Sequence, residues 1–309
     1  MKRVLITGAS GFIGRHCLNA LIRRGYEVHA VARRPLTDPR DIKWHQTDLL
    51  VPGAAKELAR RLRASHLLHF AWYTKHGLYW TAPENSKWLL SSIELVDAFA
   101  DAGGKRAICA GTCAEYAWND RVCDERRTPL APSTPYGRAK VALHCRLEEM
   151  ARERHFSLGW GRIFFPYGPY EHAGRLVPSV INSLIRREPV KCTSGEQQFD
   201  YLYVEDVADA FVAFLDSDVT GAVNVASGVP IRVRDLVMAL ARQQRGIDLM
   251  RLGALPPREN DPKLLVADVE RLRTEVRWQP ALSHEKGLAR TVEWWRRRAR
   301  VEHGAAAAQ

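Results

Sequence analysis

The sequence predicts an α/β protein in which a doubly wound parallel sheet carries a smaller C-terminal lobe. Short apolar runs alternate with segments of helical periodicity through the first half of the chain. From about residue 166 proline and glycine become frequent and the predicted elements shorten. We therefore predict a sheet domain over residues 1–165, an interleaved segment at about 200–228, and the lobe over 166–309.

The first predicted unit is a strand, a helix and a second strand. Residues 2–7, KRVLIT, form an apolar run that ends at glycines, as a buried parallel strand does. A helical pattern follows over 15–24 and is closed by Gly25. The second strand is EVHAVA, residues 27–32. This order is typical of the start of a doubly wound sheet.

The alternation continues along the chain at the spacing that parallel strands with crossover helices require. Further strands are predicted at 66–71, 107–111 and 157–165, and helices at 54–64, 84–102 and 136–154.

Composition excludes several classes of protein. The chain has 309 residues, of which 46% are hydrophobic and 26% charged, as in a globular domain. Its apolar runs are shorter than the roughly 18–20 residues of a membrane span, and the run at 4–6 is too short for a signal peptide. The six cysteines form no C-x-x-C pair. We expect free thiols, no metal site, no membrane partner and a cytoplasmic location.

The net charge of +11 includes a basic run, WWRRRARVEHG, at residues 294–304. Charge runs usually form a solvated helix face, and no nucleic-acid-binding module accompanies this one. We therefore predict no nucleic-acid partner. The positive potential would instead attract anionic substrates.

A glycine-rich segment follows the first strand. Gly8, Gly11 and Gly14 are spaced as G-x-x-G-x-x-G within TGASGFIG. Glycine allows a tight turn and a close approach of the backbone to a pyrophosphate, and the strand before and helix after supply the required context. The segment predicts a dinucleotide site.

The end of the second strand indicates which dinucleotide is bound. A site for NAD usually has an acidic residue there, about 20 residues beyond the glycines, to bind the ribose 2′-hydroxyl. Here Ala32 takes that place and Arg33 and Arg34 follow. A guanidinium binds a 2′-phosphate and a carboxylate repels it. We predict NADP(H), with NAD as the alternative, and Asp48 as a contact to the adenine ring.

The segment YGRAK places Tyr136 and Lys140 four residues apart, hence on one face of a helix that Pro135 can begin. A nearby ammonium favours the phenolate and so lowers the pKa of a tyrosine. Behind a glycine-rich nucleotide turn this pair predicts a proton donor, Tyr136, and a lysine that also binds the nicotinamide ribose.

Together these motifs resemble the extended short-chain dehydrogenase/reductase family, in its nucleotide-sugar epimerase, dehydratase and reductase group. In family order they are TGASGFIG, YGRAK, RIFFPYGP (162–169), YLYVEDVADAF (201–211) and NVASG (224–228), and they extend over nearly the whole chain. The resemblance implies a Rossmann fold, a nucleotide-sugar substrate and a homodimer joined through helices 84–102 and 136–154.

The resemblance also implies a set of functional residues. The catalytic set is Thr112, Tyr136 and Lys140, with the Thr112 hydroxyl bonded to the substrate oxygen. The cofactor set is Thr7, Gly8, Ser10, Gly11, Phe12, Ile13, Gly14, Arg33, Arg34, Asp48, Leu49, Ala71, Tyr136, Lys140 and Phe165. The substrate set is Cys113, Ala114, Glu115, His172, Arg175 and Arg258.

Three reactions can be compared through the residues they need. Dehydratases of the family follow the threonine with Asp-Glu, where this chain has Cys113 and Ala114. The epimerase/reductases that resemble GDP-fucose synthase need a cysteine at the place of Ala114 and a histidine near Arg175 or Leu176. We therefore expect Cys113 to be a packing residue and the reaction to be hydride transfer at one carbon.

Two versions of that reaction stay open. An NADP(H)-dependent reductase of a 4-keto sugar nucleotide agrees with Arg33 and Arg34 and is our first hypothesis. An NAD-dependent nucleotide-sugar 4-epimerase is the alternative. A non-catalytic NADP(H) sensor is a third, more distant class, because a sensor needs no proton donor.

The predicted substrate site departs from the family pattern. Phe165 replaces a usual asparagine, and Phe199 replaces the arginine before Asp200. Arg258 matches the family's late diphosphate-binding arginine. A smaller, non-nucleotide carbonyl substrate therefore stays an alternative.

Overall fold

The computed structural model describes residues 2–37, 41–119, 121–257 and 262–306, with side chains up to residue 301. In chain order its strands are β1 (Arg3–Thr7), β2 (Glu27–Ala32), β3 (Ile42–Gln46), β4 (His66–His69), β5 (Arg106–Thr112), β6 (Val122–Cys123), β7 (Ser157–Ile163), β8 (Phe165–Tyr167), β9 (Val190–Lys191), β10 (Gln198–Tyr203), β11 (Gly221–Val225), β12 (Pro230–Arg232), β13 (Met250–Arg251) and β14 (Leu264–Ala267).

The helices alternate with the strands of the first half, as predicted. They are α1 (Gly14–Arg23), α2 (Ala54–Leu62), α3 (Glu84–Asp101), α4 (Pro135–Arg154), α5 (Leu176–Ile185), α6 (Val204–Asp216), α7 (Val233–Gln243), α8 (Glu270–Thr274) and α9 (His284–Ala306). Single 3-10 turns occupy Cys113–Glu115 and Ile247–Leu249.

The main sheet of the described chain has seven parallel strands in the order β11-β7-β5-β4-β1-β2-β3. The strand order reverses between β1 and β4, and ligands of doubly wound sheets bind outside the carboxyl ends of the strands at such a point. The α/β doubly wound prediction is confirmed. The interleaved segment supplies α6, which packs on α1, and β11, the outermost strand.

The predicted strand over 157–165 is divided in two. β7 ends at Ile163, and after Phe164 the chain leaves the main sheet as β8, which pairs with β10 in a second sheet. That smaller sheet has the order β12-β10-β14-β6 with β8 beside β10. Apolar residues continue across the break, from Ile163 through Phe164 to Phe165, so periodicity alone does not mark it.

Apolar residues form three packed clusters. One lies between the main sheet and α1 and α6, and a second lies between the sheet and α2, α3 and α4. The third lies in the lobe, where α5, α7 and α9 cover β10. The carboxyl ends of β1, β4 and β5 therefore lie between the two halves of the molecule, where the candidate site is found.

Candidate active site

The glycine turn after β1 leaves no room for side chains. Gly8 has a φ of +65°, and a Cβ on it would lie 2.9 Å from the Ala71 backbone nitrogen. A Cβ on Gly14 would lie 2.3 Å from the Gly8 carbonyl oxygen. At the start of α1, Ile13 makes no side-chain cap, and no acidic residue occupies the first turn of this fully described helix. The backbone N–H groups of Phe12 and Ile13, which have no acceptor among the described residues, fit a pyrophosphate.

Thr7 has a different role from the one predicted. It is fully buried, its hydroxyl is 2.7 Å from His69 Nδ1, and it accepts a hydrogen bond from the Ala71 backbone at 3.2 Å. His69 Nε2 in turn is 2.8 Å from the Ser92 hydroxyl. The Thr7 side chain thus fixes the ends of β1 and β4 beneath the turn, and its predicted contact with the cofactor stays a prediction.

The residues predicted to bind the adenosine half of the dinucleotide lie at the carboxyl ends of β2 and β3. Ala32 is buried at the end of β2, and Arg33 and Arg34 that follow it are exposed. Asp48 accepts a hydrogen bond from the Leu50 backbone at 3.0 Å, and the Leu49 carbonyl accepts one from Ser91 at 2.6 Å. No acidic residue stands at the end of β2, so the site keeps the features from which NADP(H) was predicted.

The three predicted catalytic residues come together at the carboxyl end of β5. Thr112 ends β5, and Tyr136 and Lys140 lie on the first turns of α4. The helix is capped by Thr134, which accepts a hydrogen bond from the Gly137 backbone at 3.1 Å. A Cβ on Gly137 would lie 2.4 Å from the Ala114 carbonyl oxygen, so the glycine of YGRAK lets α4 approach β5.

Tyr136 is half-buried and is hydrogen-bonded to the Thr112 side chain, which lowers its pKa. Burial is the larger effect, and it raises the pKa of Tyr136 well above the ordinary value of a phenol. The predicted lowering is therefore not found in this structure. The hydrogen bond of the Lys140 Nζ goes to the Ala110 carbonyl at 2.8 Å.

Lys140 is only 4% exposed, and burial lowers its pKa to about 8. The charge of Glu115 raises that pKa. A lysine with a pKa near neutrality can exchange a proton with a neighbour under physiological conditions.

Glu115 is fully buried and does not reach the cleft. One of its oxygens accepts from Arg162 Nε at 2.7 Å and the other accepts from the Thr112 backbone at 2.8 Å. Trp160 Nε1 lies 3.0 Å from both oxygens. Protein groups thus occupy both oxygens of its carboxylate, and the predicted contact of Glu115 with a substrate stays a prediction. Glu115 also closes the 3-10 turn that begins at Thr112.

Cys113 and Ala114 are also buried. Cys113 packs in the cluster below α1 and α6, and burial raises the pKa of its thiol, so it stays protonated. This agrees with the expected packing role. The predicted contact of both residues with a substrate stays a prediction.

Two further predicted substrate residues, His172 and Arg175, lie on the loop between β8 and α5. His172 is exposed and stacks on His76, with the ring centroids 5.1 Å apart. Arg175 lies over the ring of Tyr79. Phe165 stacks on Phe199 at 4.5 Å, which uses one face of its ring inside the lobe.

Arg258 lies outside the described residues. Its predicted role in binding the diphosphate therefore stays a prediction.

An aromatic wall around Tyr136 was not predicted. Tyr79 and Trp80 lie edge-on to Tyr136 with centroids 5.1 and 5.8 Å away, and Trp72 lies 6.4 Å away. Trp118 lies edge-on to Trp80. The signal in the sequence is the density of aromatic residues in AWYTKHGLYW, residues 71–80, a segment without helix or strand periodicity.

Glu171 is a second residue that the sequence did not indicate. It is buried, one of its carboxylate oxygens has no partner in the described residues, and burial raises its pKa to about 8. The charge of Arg175 lowers that pKa. A carboxyl group of this kind is largely protonated at neutral pH and can donate a hydrogen bond.

A glycine turn at the switch point of a parallel sheet, with a tyrosine and a lysine facing it from one helix, defines a Rossmann-type enzyme that uses a nicotinamide dinucleotide. Comparison with known proteins gives the family. The chain belongs to the NAD dependent epimerase/dehydratase family, whose model matches residues 4–226, and hence to the extended short-chain dehydrogenases/reductases.

Curated relatives extend over most of the chain at low identity. CDP-abequose synthase of Salmonella muenchen is 24% identical, and the alignment covers 94% of this chain and 97% of that protein. The UDP-glucose 4-epimerase of Rhizobium meliloti strain 1021 is 26% identical, with coverage of 90% and 92%.

Solved structures share the fold. MoeE5 in complex with UDP-glucuronic acid and NAD superposes with a TM-score of 0.83 at 28% identity, covering 96% of this chain and 99% of that one. The Thermotoga maritima UDP-glucose 4-epimerase with UDP-glucose gives a TM-score of 0.85 at 24% identity, covering 96% and 99%. Among the described residues, no helix is long and apolar enough to span a membrane.

Proposed function

We propose that this protein transfers a hydride at carbon 4 of a nucleotide sugar, with Tyr136 giving a proton to the carbonyl oxygen or taking it from the hydroxyl. The observation that carries the proposal is that Thr112, at the end of β5, meets Tyr136 and Lys140 of the first turns of α4, with Lys140 Nζ bonded to the Ala110 carbonyl of β5. When bound, the nicotinamide would supply or accept the hydride.

Each residue of the proposed site has a definable task in this reaction. Thr112 and Tyr136 would hold the reacting oxygen through their hydroxyl groups, and the free N–H groups of α1 would hold the pyrophosphate. Lys140 would stabilise the phenolate that Tyr136 forms after it gives up its proton. The aromatic wall of Tyr79 and Trp80 would keep water from the reacting carbon.

The reductase version of the proposal has support at the adenosine end. Arg33 and Arg34 are exposed after the buried Ala32, in the place where a 2′-phosphate would lie. A guanidinium there favours NADP(H), which suits a net reduction of a 4-keto sugar.

The epimerase version has support from the relatives. The UDP-glucose 4-epimerase of Rhizobium meliloti is 26% identical, and MoeE5, at 28% identity, has a structure with UDP-glucuronic acid and NAD. An epimerase oxidises and re-reduces carbon 4 without net use of its dinucleotide, so NAD suits it. The sensor class receives no support from the site, since a sensor needs neither Tyr136 nor Thr112.

We further propose a homodimer formed through α3 and α4. These helices pack side by side, and Leu90 on α3 is 68% exposed. An exposed leucine on a helix that the family resemblance places at an interface is a candidate anchor.

The test compares dinucleotides and then substrates. Protein freed of bound dinucleotide is titrated with NADPH and with NADH while tryptophan fluorescence is followed. We expect tighter binding of NADPH in the natural protein and equal affinities after replacement of Arg33 and Arg34 by alanine. Arg23→Ala, which changes an arginine at the far end of α1, is the control and should keep the preference.

Turnover then separates the two reactions. Loss of NADPH absorbance with a 4-keto nucleotide sugar supports the reductase. Interconversion of two nucleotide hexoses with catalytic NAD supports the epimerase instead. Tight binding of NADPH without turnover of any nucleotide sugar contradicts both.

A further inference from the structure

Trp72 lies directly against Lys140. It is the third residue after β4, and it is 9% exposed. The Lys140 Nζ is 3.8 Å from the centroid of the Trp72 ring, and the second indole nearby, that of Trp160, is at 5.9 Å. A cation within about 6 Å of an aromatic face is attracted by the ring quadrupole, and most strongly where water is excluded.

The indole of Trp72 is held in place from its other end. Its Nε1 donates to Asn85 Oδ1 at 2.9 Å. Asn85 Nδ2 donates to the backbone carbonyls of Tyr79 and Ala82 at 2.8 and 3.0 Å. Asn85 is buried near the start of α3, so the orientation of the ring is fixed by a helix and by the loop before it.

The same ring also contacts the proposed proton donor. The rings of Trp72 and Tyr136 are 6.4 Å apart between centroids and lie nearly perpendicular, at 71°. Trp72 therefore contacts Lys140 with the face of its ring, and its ring and that of Tyr136 meet edge to face.

Few other groups stabilise the Lys140 charge. Among the described residues no carboxylate lies within 4.0 Å of its Nζ, and its hydrogen bond goes to the neutral Ala110 carbonyl. The titratable groups that face it are Glu115 after β5, Cys109 on β5 and His69 on β4. The thiol and the imidazole are buried and neutral, so only Glu115 adds an opposite charge.

We propose that Trp72 is a positioning residue, whose indole face holds the Lys140 ammonium beneath Tyr136 and keeps it charged. The role of Trp72 in catalysis rests on the proposed function. The contact itself can be tested without turnover.

The first readout is the titration of Lys140. Protein labelled with 13C at the lysine ε-carbon is titrated by NMR, and the Lys140 signal is identified by its absence in Lys140→Met. Trp72→Leu removes the π face and should move the midpoint of the Lys140 titration, its measured pKa, about one pH unit lower. Trp72→Phe keeps a smaller face and should lower it by less. Trp88→Leu, which removes a buried indole from α3, is the control and should leave it unchanged.

The second readout is the pH profile of kcat/KM. If the ammonium is needed, activity falls as the pH rises through the pKa of Lys140. The alkaline limb of Trp72→Leu should then move to lower pH by the same amount as the NMR titration, while Trp88→Leu keeps the natural profile.

The outcomes separate the two proposals. Folded Trp72→Leu and Trp72→Phe proteins with the natural Lys140 titration overturn the inference. A shifted titration with an unshifted pH profile overturns the positioning role. Absence of turnover in the natural protein contradicts the proposed function and leaves the NMR test of the contact intact. Should Trp72→Leu not fold, the titration of Trp72→Phe decides.

Discussion

Tyr136, the proposed proton donor, has a pKa that burial raises. A phenol in this setting stays protonated until a charged partner is near it, so the proposed donor form is the resting form of the apoprotein. This agrees with a reduction, in which Tyr136 must begin with its proton. The charge of Lys140 becomes important at the moment the proton leaves.

Replacement of Tyr136 by phenylalanine removes the proton donor and leaves the glycine turn unchanged. We expect kcat to fall by about 10²–10⁴-fold, the usual contribution of a general acid, while the Kd of the dinucleotide changes little. Lys140→Ala should lower kcat and also weaken the binding of the dinucleotide. Steady-state kinetics and fluorescence titration measure the two effects.

Tyr203→Phe is the matched control, because Tyr203 is a buried tyrosine in the lobe. It should keep the natural kcat. An active Tyr136→Phe protein would show that another group donates the proton.

The ion pair of Glu115 with Arg162 gives a prediction for stability. Glu115→Gln keeps the shape of the side chain but leaves the buried guanidinium without its charge partner, which costs about 3–5 kcal/mol. Urea unfolding measures the loss. Arg154→Ala removes two exposed ion pairs, to Asp97 and Asp101, and should cost at most about 1 kcal/mol. Equal losses in the two variants would contradict the assignment of Glu115 to the core.

At the scale of elements, one buried histidine ties the ends of β1 and β4 to the middle of α3. His69 bridges Thr7 on β1 and Ser92 on α3, and burial lowers its pKa from 6.5 to about 3. The bridge places Ala71 beside the glycine turn. The site is therefore built on the hydrogen bonding of three elements that lie far apart in the sequence.

This histidine makes stability depend on pH. The folded protein keeps His69 neutral down to about pH 3, whereas the unfolded chain takes up a proton below about pH 6.5. The free energy of unfolding should therefore decrease as the pH falls from 6.5, by up to about 1.4 kcal/mol per pH unit for this group. Above pH 6.5 the contribution is constant.

Urea unfolding between pH 4 and 8 tests this dependence. His69→Gln should show a shallower loss at acidic pH than the natural protein. His172→Gln, at an exposed position, should reproduce the natural curve. Parallel curves for His69→Gln and the natural protein would contradict a neutral buried His69.

The whole molecule carries a formal net charge of +11. Nucleotide sugars and dinucleotides are anions, so the field of the protein should increase their rate of association. Added salt screens this field over about 10 Å at 0.1 M. The excess of arginine over acidic residues in α9 contributes to the field from outside the site.

We expect kcat/KM to fall roughly severalfold between low salt and 0.3 M NaCl, with kcat nearly constant. Stopped-flow binding of the dinucleotide should show the same decrease in its association rate. Replacing Arg296, Arg297 and Arg298 by glutamate should flatten the salt dependence without changing kcat. A salt-independent association rate would show that the charge serves another purpose.

The sequence by itself determined the order of strands and helices, the glycine turn and the residues of the Thr112, Tyr136 and Lys140 set. The elements, the turn and the Tyr136–Lys140 pair follow from short-range patterns: apolar periodicity, glycine spacing and a four-residue separation on one helix face. Thr112 was indicated by the resemblance to the family. The break between β7 and β8 was missed because apolar residues continue across it, from Ile163 to Phe165.

Only the tertiary structure decided which polar groups face the cleft and which are used in the interior. Glu115 meets Arg162 from 47 residues away, and Lys140 meets the ring of Trp72 from another strand end. Burial and charge partners, which set the pKa of Tyr136 and the role of Thr7, arise from contacts between elements that are distant in the chain. No local pattern encodes them, because each depends on how the sheet and helices pack together.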